Sequence, residues 1–422
     1  MSVIKTLLLQ KDNINTWLYA VILLFLIISN NFNSISIIVF IVFNLITFPR
    51  GVLLKIVSDK LILLSASIFL LYLISFLLSE NKDLAMKVVE RNVSFLLLPI
   101  TIFSSTYNRS KLNLKRIIRI FIYIISILLL ISFLIALYKN FTFNLDNNNS
   151  FFRFKSWFFT YHYIASNINI SAIYLSLYGA FTASFLMLDL LGKENFKLGL
   201  SQRYKWVWLF SLVFFLFLLS ARTILVSTSI IIYFFIFKHA RANKKLTQFV
   251  CYSFILFLCI SVIVFYNDVL RLRVLSAFQF HDDAKYFAGG LSSRGYQWTA
   301  IFNELLKGNL FFGVGIGDIY ERYLIAYKSY NLDWAIKNNF NSHSMYLEIL
   351  FSTGIFGVCL FLFLFIESLK IALKHKDLKY QIFLILFLIA GTTESLFSRQ
   401  YGIIYFLIFN SLFYFSLKYK ER

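Results

Sequence analysis

Residues Ile117–Leu137 read IIRIFIYIISILLLISFLIAL, with a single charge, Arg119, near the start and no Gly or Pro. About 20 apolar residues wound as a helix cross the hydrocarbon core of a bilayer, so this stretch predicts a transmembrane helix. A second run, Ile382–Ala390, reads IFLILFLIA. Of the 422 residues, 59% are hydrophobic and 14% are charged, and the mean hydropathy is +0.74. A soluble domain carries roughly 25% charged residues. The expected fold class is therefore all-α: a polytopic integral membrane protein. The 2 prolines, 51 phenylalanines and 25 tyrosines suit lipid-facing helices with aromatic residues at the interfaces.

Working outward from that run, about 12 spans are expected, near 16–29, 34–48, 61–79, 88–105, 117–138, 161–190, 205–220, 222–237, 247–266, 343–369, 379–397 and 400–417. With the N-terminus inside, the short basic clusters all fall on one side: Arg50 to Lys60, Arg109 to Arg119, Lys193 to Lys205, Lys238 to Lys245, Lys370 to Lys379 and Lys418 to Arg422. That is the positive-inside pattern, and it puts both termini in the cytoplasm. It also accounts for the net charge of +21, since a nucleic-acid partner needs a concentrated basic face and these charges are scattered. Lys5 and Lys11 precede the first apolar run without a small-residue cleavage site, which reads as an uncleaved first span.

The chain then divides into residues 1–266 with helices one to nine, a large outer loop at 267–342, and residues 343–422 with the last three helices. The loop is too long to be a simple connector. Within it, Arg294 to Leu306 is helix-like. Arg294 and Trp298 share a face at i,i+4, followed by Phe302 and Leu306, which predicts an amphipathic helix on the membrane with the guanidinium at headgroup depth.

Arg222 follows Leu218-Leu219-Ser220-Ala221 and opens another apolar run. A charge so near the membrane core either snorkels to the headgroups or serves a function. Arg294 by itself is as consistent with a solvated loop arginine. His343 follows Asn341 and Ser342, both N-cap types, and is expected to begin span ten. A helix N-terminus disfavours the imidazolium and leaves a ring able to accept a proton. His162 stands between Tyr161 and Tyr163 at the start of span six, where belt residues are common. Glu394 and Arg399 flank the turn between the last two spans, and Glu90 and Arg91 end span four; each pair reads as a structural ion pair. The orientation set by the inner lysines and arginines places Arg222, Arg294, His343, His162, Glu394 and Arg399 together on the outer side.

Other features read as structural. Gly313-x-Gly315-x-Gly317 lacks the GK[ST] of a phosphate loop and is expected to form a tight turn. Asp282-Asp283 has no further ligand nearby, and Cys251, Cys259 and Cys359 lie in apolar runs without metal spacing, as small core residues do.

Leu219-Ser220-Ala221-Arg222-Thr223 leads to Arg294-x3-Trp298, then to Gly313-Val-Gly-Ile-Gly317-Asp318 and Asn341-Ser-His343-Ser-Met-Tyr346-Leu347. Gly354-x-x-Gly357, Thr393-Glu394-Ser395 and Arg399-Gln400-x-Gly402 follow. Order and spacing together resemble the O-antigen ligase family, which also contains O-antigen polymerases. Where the family usually has a His-Asn pair, this chain has His343-Ser344.

The resemblance implies transfer of a glycan from an undecaprenyl-diphosphate carrier to an acceptor hydroxyl, at the periplasmic face of the bacterial inner membrane. The acceptor is lipid A-core for a ligase and a second carrier-linked glycan for a polymerase. It implies His343 as the catalytic residue, Arg222 and Arg294 as diphosphate binders, and His162, Trp298, Glu394 and Arg399 in support. No metal and no other cofactor is expected; membrane lipids are the remaining partners. The chemistry agrees: arginines stabilise charge growing on the leaving diphosphate, a neutral histidine takes the acceptor's proton, and direct attack inverts the anomeric centre. A lipid-linked glycan flippase would instead distribute polar groups along a pathway through the helices, and a non-catalytic assembly partner would use the long loop as a docking surface.

Overall fold

The computed structural model describes residues 2–48, 53–106, 114–146, 156–219, 221–266, 271 and 290–419. Every regular element among them is helical, and nine helices are long and apolar enough to cross a membrane. This is a multi-pass membrane protein. Shorter apolar helices, Asn30–Ile46 and Leu378–Gly391, stand at two of the other expected spans, and Leu246–Tyr266 forms a helix where the ninth was expected. Several expected spans end differently. Residues 161–190 are not one helix but a short Tyr161–Ser166 helix, a turn, and Ala172–Leu190. The last turn of the eleventh is replaced by the 3-10 turn Leu396–Ser398.

The chain forms two compact units. One comprises Ile27–Ser29 and Lys115–Phe278. Its central helix, Ala172–Leu190, is buried along its length except at Ile173, and it packs against Gln202–Leu219 and Arg222–Ala242. At the end of this helix the buried Asp189 is paired with Lys205 at 2.5 Å and also accepts from the Phe196 backbone N–H at 2.7 Å. A carboxylate buried in an apolar bundle is tolerable only with such partners.

The other unit comprises Met1–Leu26, Asn30–Leu114 and Gln279–Arg422. Several of its helices begin on side-chain caps. Asp59 accepts from Leu61 and Ile62, Asn81 from Leu84, and Asp377 from Tyr380. Each of these satisfies N–H groups that an α-helix leaves open at its start. Helix Gln400–Lys418 is buried from Gly402 to Phe415 and packs on Ser94–Thr106. Rings of Phe383, Phe387, Phe397 and Phe406 fill the space beside it. Outward-facing positions remain apolar, among them Leu63, Leu70, Phe363 and Ile366, as a lipid-facing surface requires. Cys359 in this unit and Cys251 in the other are both exposed, which corrects their expected place in the core. In a membrane helix both faces are apolar, so an apolar run alone does not mark the inside. Cys259 lies in helix Leu246–Tyr266 but its side chain, like Asp282 and Asp283, falls outside what the structure describes.

In the same unit, the segment after Gly290 folds into helices Gly290–Leu306, Ile319–Ser329 and Asp333–Lys337. They close over Ala300, Ile301, Leu305, Tyr323, Ala326, Tyr327, Leu332 and Ala335, together with Phe351 of the long helix Met345–Lys374. Glu304, buried within this cluster's first helix, is paired with Arg322 at 3.3 Å and Lys307 at 3.1 Å. The expected helix at Arg294 to Leu306 is thus present and longer. Phe302 and Leu306 are exposed while Ala300, Ile301 and Leu305 make its packed face.

Candidate functional site

Helix Met345–Lys374 is broken at Gly354, whose φ of 68° and ψ of −163° leave the helical region. The glycine-rich turn fills the break. Val314 N–H donates to the Phe351 carbonyl at 2.9 Å, while Ile355 and Phe356 N–H groups donate to the carbonyls of Leu310 and Phe311 at 2.9 and 3.3 Å. Irregular backbone within an apolar helix survives only where protein satisfies its polar groups, and here the turn does so on both sides of the break. Ser75 and Ser79 hold the turn from below, accepting from Ile316 and Gly317 N–H at 3.1 and 3.0 Å. Asp318 then accepts from the backbone N–H groups of Glu80 and Asn81, both at 2.8 Å.

At the start of this broken helix stands His343. The cap is Ser344, whose hydroxyl accepts from Leu347 N–H, so His343 lies one residue outside the helix rather than beginning it. Its backbone is left-handed, with φ of 47°. That conformation is uncommon for a residue with a side chain and persists where neighbours dictate it. Three hydrogen bonds hold the turn: Asn341 Oδ1 accepts from His343 N–H at 3.1 Å, Trp298 Nε1 donates to the Ser342 carbonyl at 2.8 Å, and Tyr327 Oη donates to the Asn341 carbonyl at 3.2 Å. The Phe340 ring meets the imidazole edge-on at 5.0 Å.

His343 Nδ1 faces Glu394 Oε2 at 3.7 Å. Both atoms are buried and neither makes a hydrogen bond, while 25% of the histidine side chain remains exposed. A carboxylate thus stands on the Nδ1 side of a ring whose side chain is one quarter exposed. This pairing differs from the expected Glu394–Arg399 ion pair: Glu394 turns to the histidine, and Arg399 is exposed.

A second carboxylate, Glu348, escaped the sequence reading. Its Oε2 accepts from Tyr323 Oη at 2.6 Å, Ser342 Oγ at 2.8 Å and Ser395 Oγ at 3.3 Å, and the two serine hydroxyls lie 3.1 Å apart. Burial, and then Glu348 itself, push the Tyr323 phenol well above its ordinary value, so it stays a donor. A cavity of about 60 Å³ beneath is lined by Tyr72, Arg91, Asn92, Ile316, Glu348 and Ser352, with room for a few water molecules.

Of the expected site residues, the structure gathers His343, Glu394 and Trp298. Arg294, half-buried, sits one turn before Trp298 on the same helix. Arg222 and His162 belong to the other unit, where both are exposed: Arg222 opens helix Arg222–Ala242, and His162 lies against Tyr161 in its short helix, the ring planes tilted by 56°. Among the described residues no three His, Cys, Asp or Glu side chains stand close enough to share a metal ion.

Residues 207–362 match the family model for O-antigen ligase. The resemblance carried by the motifs is thereby borne out over this stretch. The O-antigen ligase match takes in Arg222, Arg294, Trp298, the Gly313–Gly317 turn, His343 and Glu348; Glu394 and Arg399 lie after it and His162 before it. Membrane glycan transfer of the ligase or polymerase type, on lipid-linked glycans, is what this family points to. No curated protein matches the chain.

Proposed function

We propose that this protein is an O-antigen ligase-type glycosyltransferase, which moves a glycan from undecaprenyl diphosphate to a hydroxyl of lipid A-core at the periplasmic face of the inner membrane. The observation that carries the reading is the O-antigen ligase match, which spans both arginines and His343. The acceptor oxygen attacks the anomeric carbon as the bond from that carbon to the diphosphate breaks, and the configuration inverts. His343 takes the acceptor's proton on Nε2, the nitrogen away from Glu394, and Glu394 orients the ring and stabilises the imidazolium that forms. Catalytic hydrogen bonds are often long before substrate binds, and a small closure of the 3.7 Å gap completes this one. Arg222 and Arg294 take the charge that grows on the departing diphosphate.

The test is the lipopolysaccharide of a deletion strain, compared with its undecaprenyl-linked glycans and complemented by His343→Ala or Arg222→Ala. Long chains retained on the carrier and missing from lipid A-core support the ligase, with neither variant restoring them. Single repeat units on both assign a polymerase instead. An unchanged profile, or full complementation by a His343→Ala protein present at wild-type level, refutes the reading.

A further inference from the structure

We infer that Glu348 is the positioning residue that holds His343 and Glu394 together, an inference that rests on the reading of His343 as the base. Ser342 immediately precedes His343, and Ser395 immediately follows Glu394. Both serine hydroxyls reach the same carboxylate oxygen, Glu348 Oε2, at 2.8 and 3.3 Å. The histidine turn and the turn after helix Leu378–Gly391 are distant in sequence and are fastened here to one atom. Tyr323 brings a third element, helix Ile319–Ser329, to that oxygen at 2.6 Å.

Tyr323, Ser342 and Ser395 each place a hydroxyl within reach of this oxygen, and Ser342 Oγ also reaches the Ser344 carbonyl at 2.9 Å, which ties the cap of the long helix to the same cluster. An amide in place of the carboxylate keeps one acceptor oxygen but loses the charge that makes such bonds strong, and it adds two donors beside Arg91, which lines the same cavity. Glu348 touches neither nitrogen of His343 in this network. Its effect on catalysis passes through the left-handed turn at 343 and the placement of Glu394 against the ring. That is why the two residues face each other without a hydrogen bond of their own: the bonds that align them are made by their neighbours.

The experiment uses full-length purified protein with Glu348→Gln, alone and combined with His343→Ala. Two readouts are taken: transfer kinetics with undecaprenyl-diphosphate-linked glycan from the host, and the rate at which diethyl pyrocarbonate modifies His343, followed by peptide mass spectrometry. Glu348→Gln is expected to lower kcat at least tenfold with the KM for the lipid-linked donor within about twofold. It is also expected to change the His343 modification rate severalfold and to add nothing to the loss caused by His343→Ala. If Glu348→Gln does not fold, Ser395→Ala removes one donor and is expected to move both readouts in the same direction. Wild-type kcat and an unchanged modification rate overturn the inference. Full activity of His343→Ala overturns instead the assignment of the base, and the modification rate, which needs no substrate, tells the two failures apart.

Discussion

The indole Nε1 of Trp298 donates to the carbonyl oxygen of Ser342 at 2.8 Å, joining the helix that carries Arg294 to the turn that carries His343. Ser342 is fully buried, so its carbonyl has little access to water if that donor is lost. Trp298→Phe keeps most of the ring and removes the donor. The expected cost is about 1–3 kcal/mol, the penalty for a buried acceptor left without its bond. It should appear as a lower thermal midpoint of the detergent-purified protein, together with reduced transfer. An unchanged midpoint would show that the carbonyl finds another partner.

Gly354 and Gly308 make a matched pair for testing the broken helix. A Cβ on Gly354 would stand 2.2 Å from the Phe311 carbonyl oxygen, and its φ of 68° is one that side chains rarely adopt. A Cβ on Gly308 would meet nothing closer than 3.7 Å. Gly354→Ala must therefore expel the glycine-rich turn from the break or fail to fold, whereas Gly308→Ala is close to neutral. Size-exclusion profiles of the two variants decide: equal monodisperse yields would mean that the turn does not depend on the gap.

What could be read without coordinates follows from where the physical signal lies. Apolar length announced the membrane helices, and the pairing of Arg294 with Trp298 at i,i+4 placed both on the helix that reaches the His343 turn. The break at Gly354 was hidden because the short Ser352-Thr353-Gly354 interruption of an apolar run is compatible with a continuous helix; the carbonyls that cap its second half come from Leu310 and Phe311, far away in sequence. Ser342 looked like the cap of the helix because Asn, Ser and Ser stand close together at 341, 342 and 344, and only backbone geometry separates the cap from its neighbours. Glu348 left a signal that went unused. A carboxylate inside Met-Tyr-Leu-Glu-Ile-Leu-Phe is as costly to bury as the charge of Arg222, and the same argument applies to it.

Asp318 supports the glycine-rich turn from its far end, because its two oxygens accept the Glu80 and Asn81 N–H groups, both at 2.8 Å. Asp318→Asn leaves one oxygen to accept and sets an amide donor against the other N–H. Hydrogen bonds to a charged acceptor are worth about 1.5–3 kcal/mol, and this variant loses one of them outright. The expected result is a lower thermal midpoint and faster hydrogen exchange at residues 79–81 and 313–317, with Asp318→Glu intermediate. Exchange that rises only at 79–81 would show that the aspartate caps its partner loop without supporting the turn.

Tyr323 gives the alkaline limit of the fold around the site. Burial first, and Glu348 second, raise its phenol well above the ordinary value of 10.0. The folded form therefore holds the proton more tightly than the unfolded chain does, so this contribution to stability is complete below pH 10 and is lost as pH climbs from there towards the raised value. The neighbouring Tyr327 is shifted upward by the same causes in the same order, and adds to the effect. Each such tyrosine removes about 1.4 kcal/mol of stability per pH unit once the unfolded chain ionises. Thermal midpoints measured between pH 8 and pH 11 should be level at first and then fall, and Tyr323→Phe, although less stable at pH 8 for want of its bond to Glu348, should fall less steeply above pH 10. Parallel curves for the two proteins would mean that Tyr323 ionises in the folded state and that its bond to Glu348 is not held as described.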